Sequence, residues 1–388
     1  MSTMGCDGAR AERLSASRER FARAMRHEAT ARPPLDIGAT TLTSMSAGCQ
    51  RRVRAFLGLS GEARPSNSGV DEGILAWAGT DFRGVGHIVS LPSVHTRALS
   101  DGESVDCWGV RRKLVGQYAE IVSSPLEGAT CEDLRTFPWP EPRIDEALLA
   151  RWETEARRLH AEGRYVVIAE HPVYGVLELG CWMCGYEDFL GRLAADHDFV
   201  RAFFDIVFDL QMRIIEPYYR VLGPYIDLTT SGDDFGMQLA PLLSPRAFEA
   251  LVAPYFAERI RRTKDLAGCY YWHHSCGSVY ALLDQLIACG VDILNPVQTS
   301  AAGMRPETLK AEYGDRLVFW GAMDVQQFLP YASPDEVRAH ADYLIDVLGH
   351  EGGYVMAPAH NMQDDVPPEN IVAWVEAVRA RETLQQAQ

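Results

Sequence analysis

The chain has 388 residues, 47% of them hydrophobic, and a formal net charge of -16. That length holds one large domain or two ordinary ones around a sizeable core. The acidic balance argues against nucleic acid or an anionic membrane surface as the main partner, and leaves a basic protein or a small molecule.

The opening stretch MSTMGCDGARAERLSASRERFARAMRHE is polar and helical rather than secretory. No segment approaches the apolar length that spans a bilayer, so the expected location is the cytoplasm. The nine cysteines are an odd number scattered from Cys6 to Cys289, which is no disulfide framework. Most are expected to be buried thiols packing as small hydrophobes. Cys181 and Cys184 form a lone CxxC within ELGCWMCGYEDF, and with aromatic neighbours on both sides it reads as structural.

In chain order, the candidate strands are PLDIG (34–38), YVVIAE (165–170), YIDLTT (225–230), CYYWH (269–273), VDILN (291–295), LVFWG (317–321) and GYVMAP (353–358). Helices fall between them. SVYALLDQLIAC (278–289) has apolar positions at helical spacing and Gly290 as its stop. Ser333 is the natural N-cap of a helix over 334–349, with Glu336 completing a capping box. A last helix over 366–379 starts from a double proline.

This alternation means a parallel sheet with helical crossovers, compatible with a doubly wound sheet or a closed barrel. Nearly every strand ends in a polar cluster: Glu170-His171, Ser231 to Asp234, His273 to Cys276, Asn295 to Gln298, Gly321 to Asp324 and Pro358 to Asn361. A barrel gathers such ends on one face, where active sites are built, whereas an open sheet gathers only some of them. The expected fold is therefore an α/β (β/α)8 TIM barrel forming a single domain over 1–388. Residues 40–160, with ARPSNSG, DCWGVRRK and TFPWPEP, fit the rhythm poorly and read as an insertion or cap over the barrel mouth.

The stretch YWHHSCGSV (271–279) crowds soft, titratable side chains at a strand end. In extended chain, positions i and i+2 share a side, so His274 and Cys276 can reach one ion. Imidazole and thiolate suit zinc. A third ligand must come from another strand end, with His360 best placed. Asp234, Glu178 or Cys181 supplies a fourth, or the position stays open for substrate. His273 points away by alternation, into packing or a supporting role behind the ligands. The competing reading is a pair of core histidines in ordinary hydrogen bonds.

Of the adjacent carboxylates Asp233 and Asp234, at most one is expected to enter the pocket. Asp233 suits an Asx turn that holds the loop. Asp234 is the candidate general base, binder of a substrate cation, or group that raises its neighbour's pKa. Trp272, Trp320, Phe235 and Tyr271 are aromatic candidates for a pocket wall, although core packing accounts for most such residues.

Taken together, RERFARAMRHEATARPPLDIG, DDFGMQLAPLLSP, HHSCGSV, GVDILNPVQTSAAGM, FWGAMDVQ and APAHNMQDDVPPENI resemble the uroporphyrinogen decarboxylase superfamily. The likeness is strongest to its branch of corrinoid-linked methyltransferases and demethylases, and it runs in order over nearly the whole chain. It implies a (β/α)8 barrel. True porphyrinogen decarboxylases carry an arginine-rich RQAGRY-like segment where this chain has DIGATTLTSMS, so that substrate is not expected. The methyltransferases bind zinc through an HxC motif and a later cysteine; His274 and Cys276 match the first two, and His360 stands in the third place.

The resemblance implies a zinc-dependent methyl or alkyl transfer or demethylation on a small molecule, with a corrinoid protein as methyl acceptor or donor. This chain lacks the DxHxxG-type cobalamin signature of such carriers, so the corrinoid belongs to a partner. Asp234, His274 and Asn361 are the expected catalytic groups, and His274, Cys276 and His360 the metal ligands. Gln238, Gln298, Asp324, Trp272 and Phe235 are expected to bind substrate. The likeness implies a monomer or homodimer. A second reading is a metal-independent decarboxylase or lyase of a small carboxylic acid, clamped by Arg83, Arg111 or Arg112. A third is a non-catalytic binder on the same barrel.

Overall fold

The structure, a computed structural model, describes residues 15–65, 69–89, 91, 97–115 and 118–386. Cys6, the first half of the opening polar stretch and the middle of ARPSNSG lie outside the described residues. The strands are β1 (Phe82–Val85), β2 (Arg97–Ala98), β3 (Glu103–Val105), β4 (Arg111–Val115), β5 (Tyr118–Ser123), β6 (Val166–Ala169), β7 (Leu228–Gly232), β8 (Tyr270–His274), β9 (Ile293–Asn295), β10 (Val318–Met323) and β11 (Tyr354–Pro358). A seven-stranded parallel sheet runs in the order β1-β6-β7-β8-β9-β10-β11.

This curled sheet is close to the expected TIM barrel, but among the described residues it has seven strands rather than eight. PLDIG contributes a single bridge, Leu35 to Met356, while the Asp81 amide donates to the Leu35 carbonyl at 3.0 Å. Pro33 and Pro34 have no N–H to offer a ladder, and the Asp36 carboxylate turns the chain by accepting from the Ala39 amide at 2.9 Å. The other six expected strands form within a few residues of their expected limits. The strand of YIDLTT starts late, at Leu228, because a 3-10 turn occupies Gly223–Tyr225.

Residues 40–160, expected as an insertion or cap, contribute to the main sheet as well as to a second one. Strand β1 belongs to the main sheet, and helix Glu146–Glu162 packs against β1, β6 and helix His197–Leu222. Strands β2 to β5 form a separate antiparallel sheet. It leans on helix Val176–Cys184, with the Arg112 guanidinium 4.5 Å from the centre of the Trp182 ring.

Alternation along each strand sorts the core into two bodies. Phe82, Val166, Ile168, Leu228, Ile293 and Val355 join Trp272 and Trp320 in a cluster on one face of the sheet. The two indoles stack at 4.7 Å and 18°, and helix Ala16–Met25 adds Phe21 to the same cluster. The opposite-facing residues, Tyr271 among them, pack with the helices in the second, larger cluster, which also buries Cys181 and Cys184. The capping box of Ser333 and Glu336 forms as expected on helix Pro334–Leu348. Among the described residues no helix is long and apolar enough to cross a membrane.

Candidate functional site

His274 is the last residue of β8, two positions beyond Trp272, so it shares that residue's face at the C-terminal end of the sheet. Parallel register sets Asn295 of β9 beside it. The Asn295 amide donates to the Trp320 carbonyl at 3.0 Å, which turns its oxygen toward His274 Nδ1, 2.5 Å away. A carboxamide oxygen only accepts, so Nδ1 carries the proton and Nε2 keeps its lone pair. That nitrogen lies 3.3 Å from Cys276 Sγ.

Cys276 follows in the loop, where Asp234 fixes it by accepting from its backbone amide at 2.7 Å. The two loops at this point touch backbone to backbone. A Cβ on Gly236 would sit 2.5 Å from the Cys276 carbonyl oxygen, and one on Gly277, at φ +79, 2.6 Å from that of Met237. His360 arrives from the loop after β11, its ring centre 5.4 Å from that of His274. One ligand atom from each of His274, Cys276 and His360 lies within 4.8 Å of the others. The three side chains can hold a metal ion, and the imidazole–thiol donor set fits one. Without a cation, burial together with Asp234 and Glu178 holds the Cys276 thiol far above its usual range. Burial and His274 push His360 down to about 4, so its imidazole is neutral and ligand-ready.

Beside these residues lies a cavity of about 180 Å³ lined by Glu170, Glu178, Asp233 and Asp234, with His171, Tyr174, His274 and His360. Both members of the aspartate pair line it, and Asp233 does more than hold its own loop. Helix Val176–Cys184 starts at Gly175, which has no side chain to cap it; the Asp233 carboxylate accepts from the Leu177 and Glu178 amides at 3.2 and 2.8 Å. Burial raises Asp233 to about 6. Glu170 accepts from the Thr41 amide at 3.0 Å and from the Thr41 hydroxyl at 2.6 Å, and burial brings its carboxyl to about 7. Glu178 is raised well above the usual carboxylate range by burial and by Asp234.

Several expected substrate contacts lie elsewhere. Trp272 is fully buried against Trp320, and Phe235 is fully buried between Phe248, Phe256 and the stacked His273 ring; both are core. Gln298 accepts from the Gly277 amide and Gln238 donates to the Ser300 carbonyl, which ties the loops together outside the cavity. Asp324 accepts from the amides of Gln326, Gln327 and Phe328 to form its own turn. Asn361 Oδ1 accepts from the Ser44 amide at 3.2 Å, positioning the segment that brings Thr41 to Glu170 rather than lining the cavity itself. His273, as alternation requires, faces away and meets Ser231 Oγ at 3.0 Å.

The proposed arginine clamp is absent from this cavity. Arg83 pairs with Glu72, Arg111 with Glu103, and Arg112 with Asp106. None of the described lining residues is Arg or Lys. Sequence reasoning noted Glu170-His171 as a strand-end cluster without assigning it to the site. It did not foresee the roles of Asn295 and Thr41, whose partners come from sheet register and from a distant loop.

Uroporphyrinogen decarboxylase of Serratia proteamaculans is 32% identical over 99 residues, 26% of this chain and 26% of that enzyme. That of Vibrio vulnificus is 35% identical over 97 residues, 25% of this chain and 26% of the enzyme. The chain thus matches about a quarter of the length of these curated relatives. A methyltransferase from Methanosarcina mazei shares the fold, with a TM-score of 0.63 at 14% identity over 94% of this chain and 99% of that one. The family model for uroporphyrinogen decarboxylase (URO-D) matches residues 173–381. Because that match takes in more than half of the chain, including β7 to β11 and all three converging ligands, the chain belongs to the uroporphyrinogen decarboxylase family.

Proposed function

We propose that the chain is a zinc-dependent methyl or alkyl transferase, or demethylase, acting on a small molecule, with a corrinoid protein as methyl acceptor or donor. The observation that carries this reading is the meeting of His274, Cys276 and His360, with Asn295 behind His274. Two nitrogens and one sulfur match the preferences of zinc, and three protein ligands leave one position for substrate. When bound there, zinc would act as a Lewis acid on the heteroatom that holds the methyl group, or hold a thiolate.

The chain's own residues supply the rest. Asn295 keeps the His274 tautomer and ring orientation, as partners behind metal ligands generally do. Asp234 places Cys276 by its amide. Glu170, with its carboxyl near 7, populates both protonation states at neutral pH and is suited to give or take a proton at the substrate. The whole chain works as one domain, with the β2 to β5 sheet as a cap beside the cavity wall. The corrinoid partner rests on the sequence resemblance. Porphyrinogen and other decarboxylations call for cations to hold a carboxylate, and the acidic cavity wall opposes them.

Elemental analysis of the purified chain tests this reading. The expected content is about one zinc per chain, lost in His274→Ala and in His360→Ala. A folded wild-type chain that takes up no zinc overturns it.

A further inference from the structure

We infer that Asp36 is a positioning residue for Glu170: its carboxylate shapes the turn that carries Thr41, and Thr41 clasps Glu170 at the cavity wall. From the proposed function this takes only that Glu170 works on the substrate.

Asp36 is fully buried, and a buried carboxylate is costly unless hydrogen bonds satisfy it. Oδ1 accepts from the Ala39 amide at 2.9 Å, and Oδ2 from the Thr43 hydroxyl at 2.8 Å and the Trp320 indole at 3.2 Å. These partners are neutral, and Arg83 acts on the carboxylate only from a distance. The indole is packed in the core on β10, so it ties Asp36 to the sheet. The other two donors lie before and at the end of the 3-10 turn Thr41–Thr43. A turn of three residues cannot hold itself, and Thr40 makes no capping bond for it. Its shape is therefore imposed by Asp36. Past the turn, the Met362 amide donates to the Ser44 carbonyl at 2.9 Å beside the loop of His360, which leaves Asp36 as the anchor on the near side.

Thr41 and Leu42 of this turn line the cavity. The Thr41 amide donates to one oxygen of Glu170 and the Thr41 hydroxyl to the other, so one residue serves the whole carboxylate. Charge and position now act in opposite directions. Burial brings Glu170 to about 7, the Thr41 bonds hold it down, and the charge of Asp36 adds to the rise. Burial raises Asp36 itself only to about 6, so it is ionised where Glu170 titrates. Losing that charge alone would lower the Glu170 midpoint, whereas losing the grip of Thr41 would raise it.

Carboxyl NMR of the full-length, zinc-supplemented chain carrying isotope-labelled glutamate tests this, with the Glu170 signal assigned by its loss in Glu170→Gln. The other titratable groups of the wall, Glu178, Asp233, Asp234, His171, His274 and His360, are the same in every chain compared. In Asp36→Asn the carboxamide sets a donor against a donor whichever way it turns, and the midpoint is expected to rise by about one pH unit. Thr43→Val removes one bond of Asp36 but keeps its charge, and should raise the midpoint by about half as much. Thr43→Ser keeps the hydroxyl and should restore the wild-type value. A midpoint that falls or stays put in Asp36→Asn overturns the inference; if that variant does not fold, an unchanged midpoint in Thr43→Val does so. The two readings fail separately. A wild-type chain that takes up no zinc but shows these rises loses the zinc mechanism and keeps the role of Asp36. A zinc-loaded chain without the rises loses that role alone.

Discussion

His274 presents Nε2 as a lone pair because of a relay two residues long. The Trp320 carbonyl takes the Asn295 amide hydrogen, so the Asn295 oxygen must take the proton of His274 Nδ1. Removing the relay should weaken metal binding without removing a ligand. Asn295→Ala is expected to lower zinc affinity about 10- to 100-fold, the usual range for partners behind a metal-bound histidine. Asn295→Asp keeps an acceptor at the same place and should retain most of the affinity. Competition with a chromogenic chelator reads both; equal affinities in Asn295→Ala and wild type would show that the ring is held by packing alone.

At the scale of elements, β8 alternates between two duties. Trp272 and His274 share one face, Tyr271 and His273 the other, so a single strand fills the core with its first half and builds the site with its last residue. Trp272→Ala should therefore act on stability, costing about 3–5 kcal/mol as large-to-small core changes do, and thermal or urea unfolding measures it. Zinc content in the folded fraction should be unchanged, since the indole touches no ligand; a zinc-free but equally stable variant would return Trp272 to the site. The strands with continuous apolar runs were legible in the sequence because they are buried on both faces. FRGV of β1 was missed because an arginine and a glycine in four residues resemble a turn, and only its parallel pairing with β6 makes it a strand. RRKLV of β4 is largely exposed and offers no alternation to read. Within the site, the HxC pair and the distant histidine were legible from spacing and strand ends. The aromatic residues beside them were not, since Phe235 looks the same in sequence whether it faces a ligand or, as here, Phe256 and His273.

For the molecule as a whole, one end of the sheet concentrates buried titratable groups whose shifts oppose one another. Asp36 and Asp233 are raised to about 6 and Glu170 to about 7 by burial. His360 is lowered to about 4, and His171 and His273 well below the usual range. A raised carboxyl keeps its proton in the folded chain after the unfolded chain has lost it, so stability falls as pH rises from the unfolded value through the folded one. A lowered histidine does the reverse, and its contribution grows with pH up to the unfolded value, about 6.5. The two sets partly cancel in mild acid, and Glu170 alone among these continues to act near neutrality. Glu170→Gln removes that one contribution. Its unfolding temperature should therefore gain on wild type between about pH 5 and pH 8, by on the order of 3 kcal/mol in stability at most, and run parallel above that. Calorimetric scans of both chains, metal-free, check it. Curves parallel across the whole range would mean that Glu170 is ionised in the folded chain at pH 5, held so by Thr41, and would remove it as a proton donor at neutral pH.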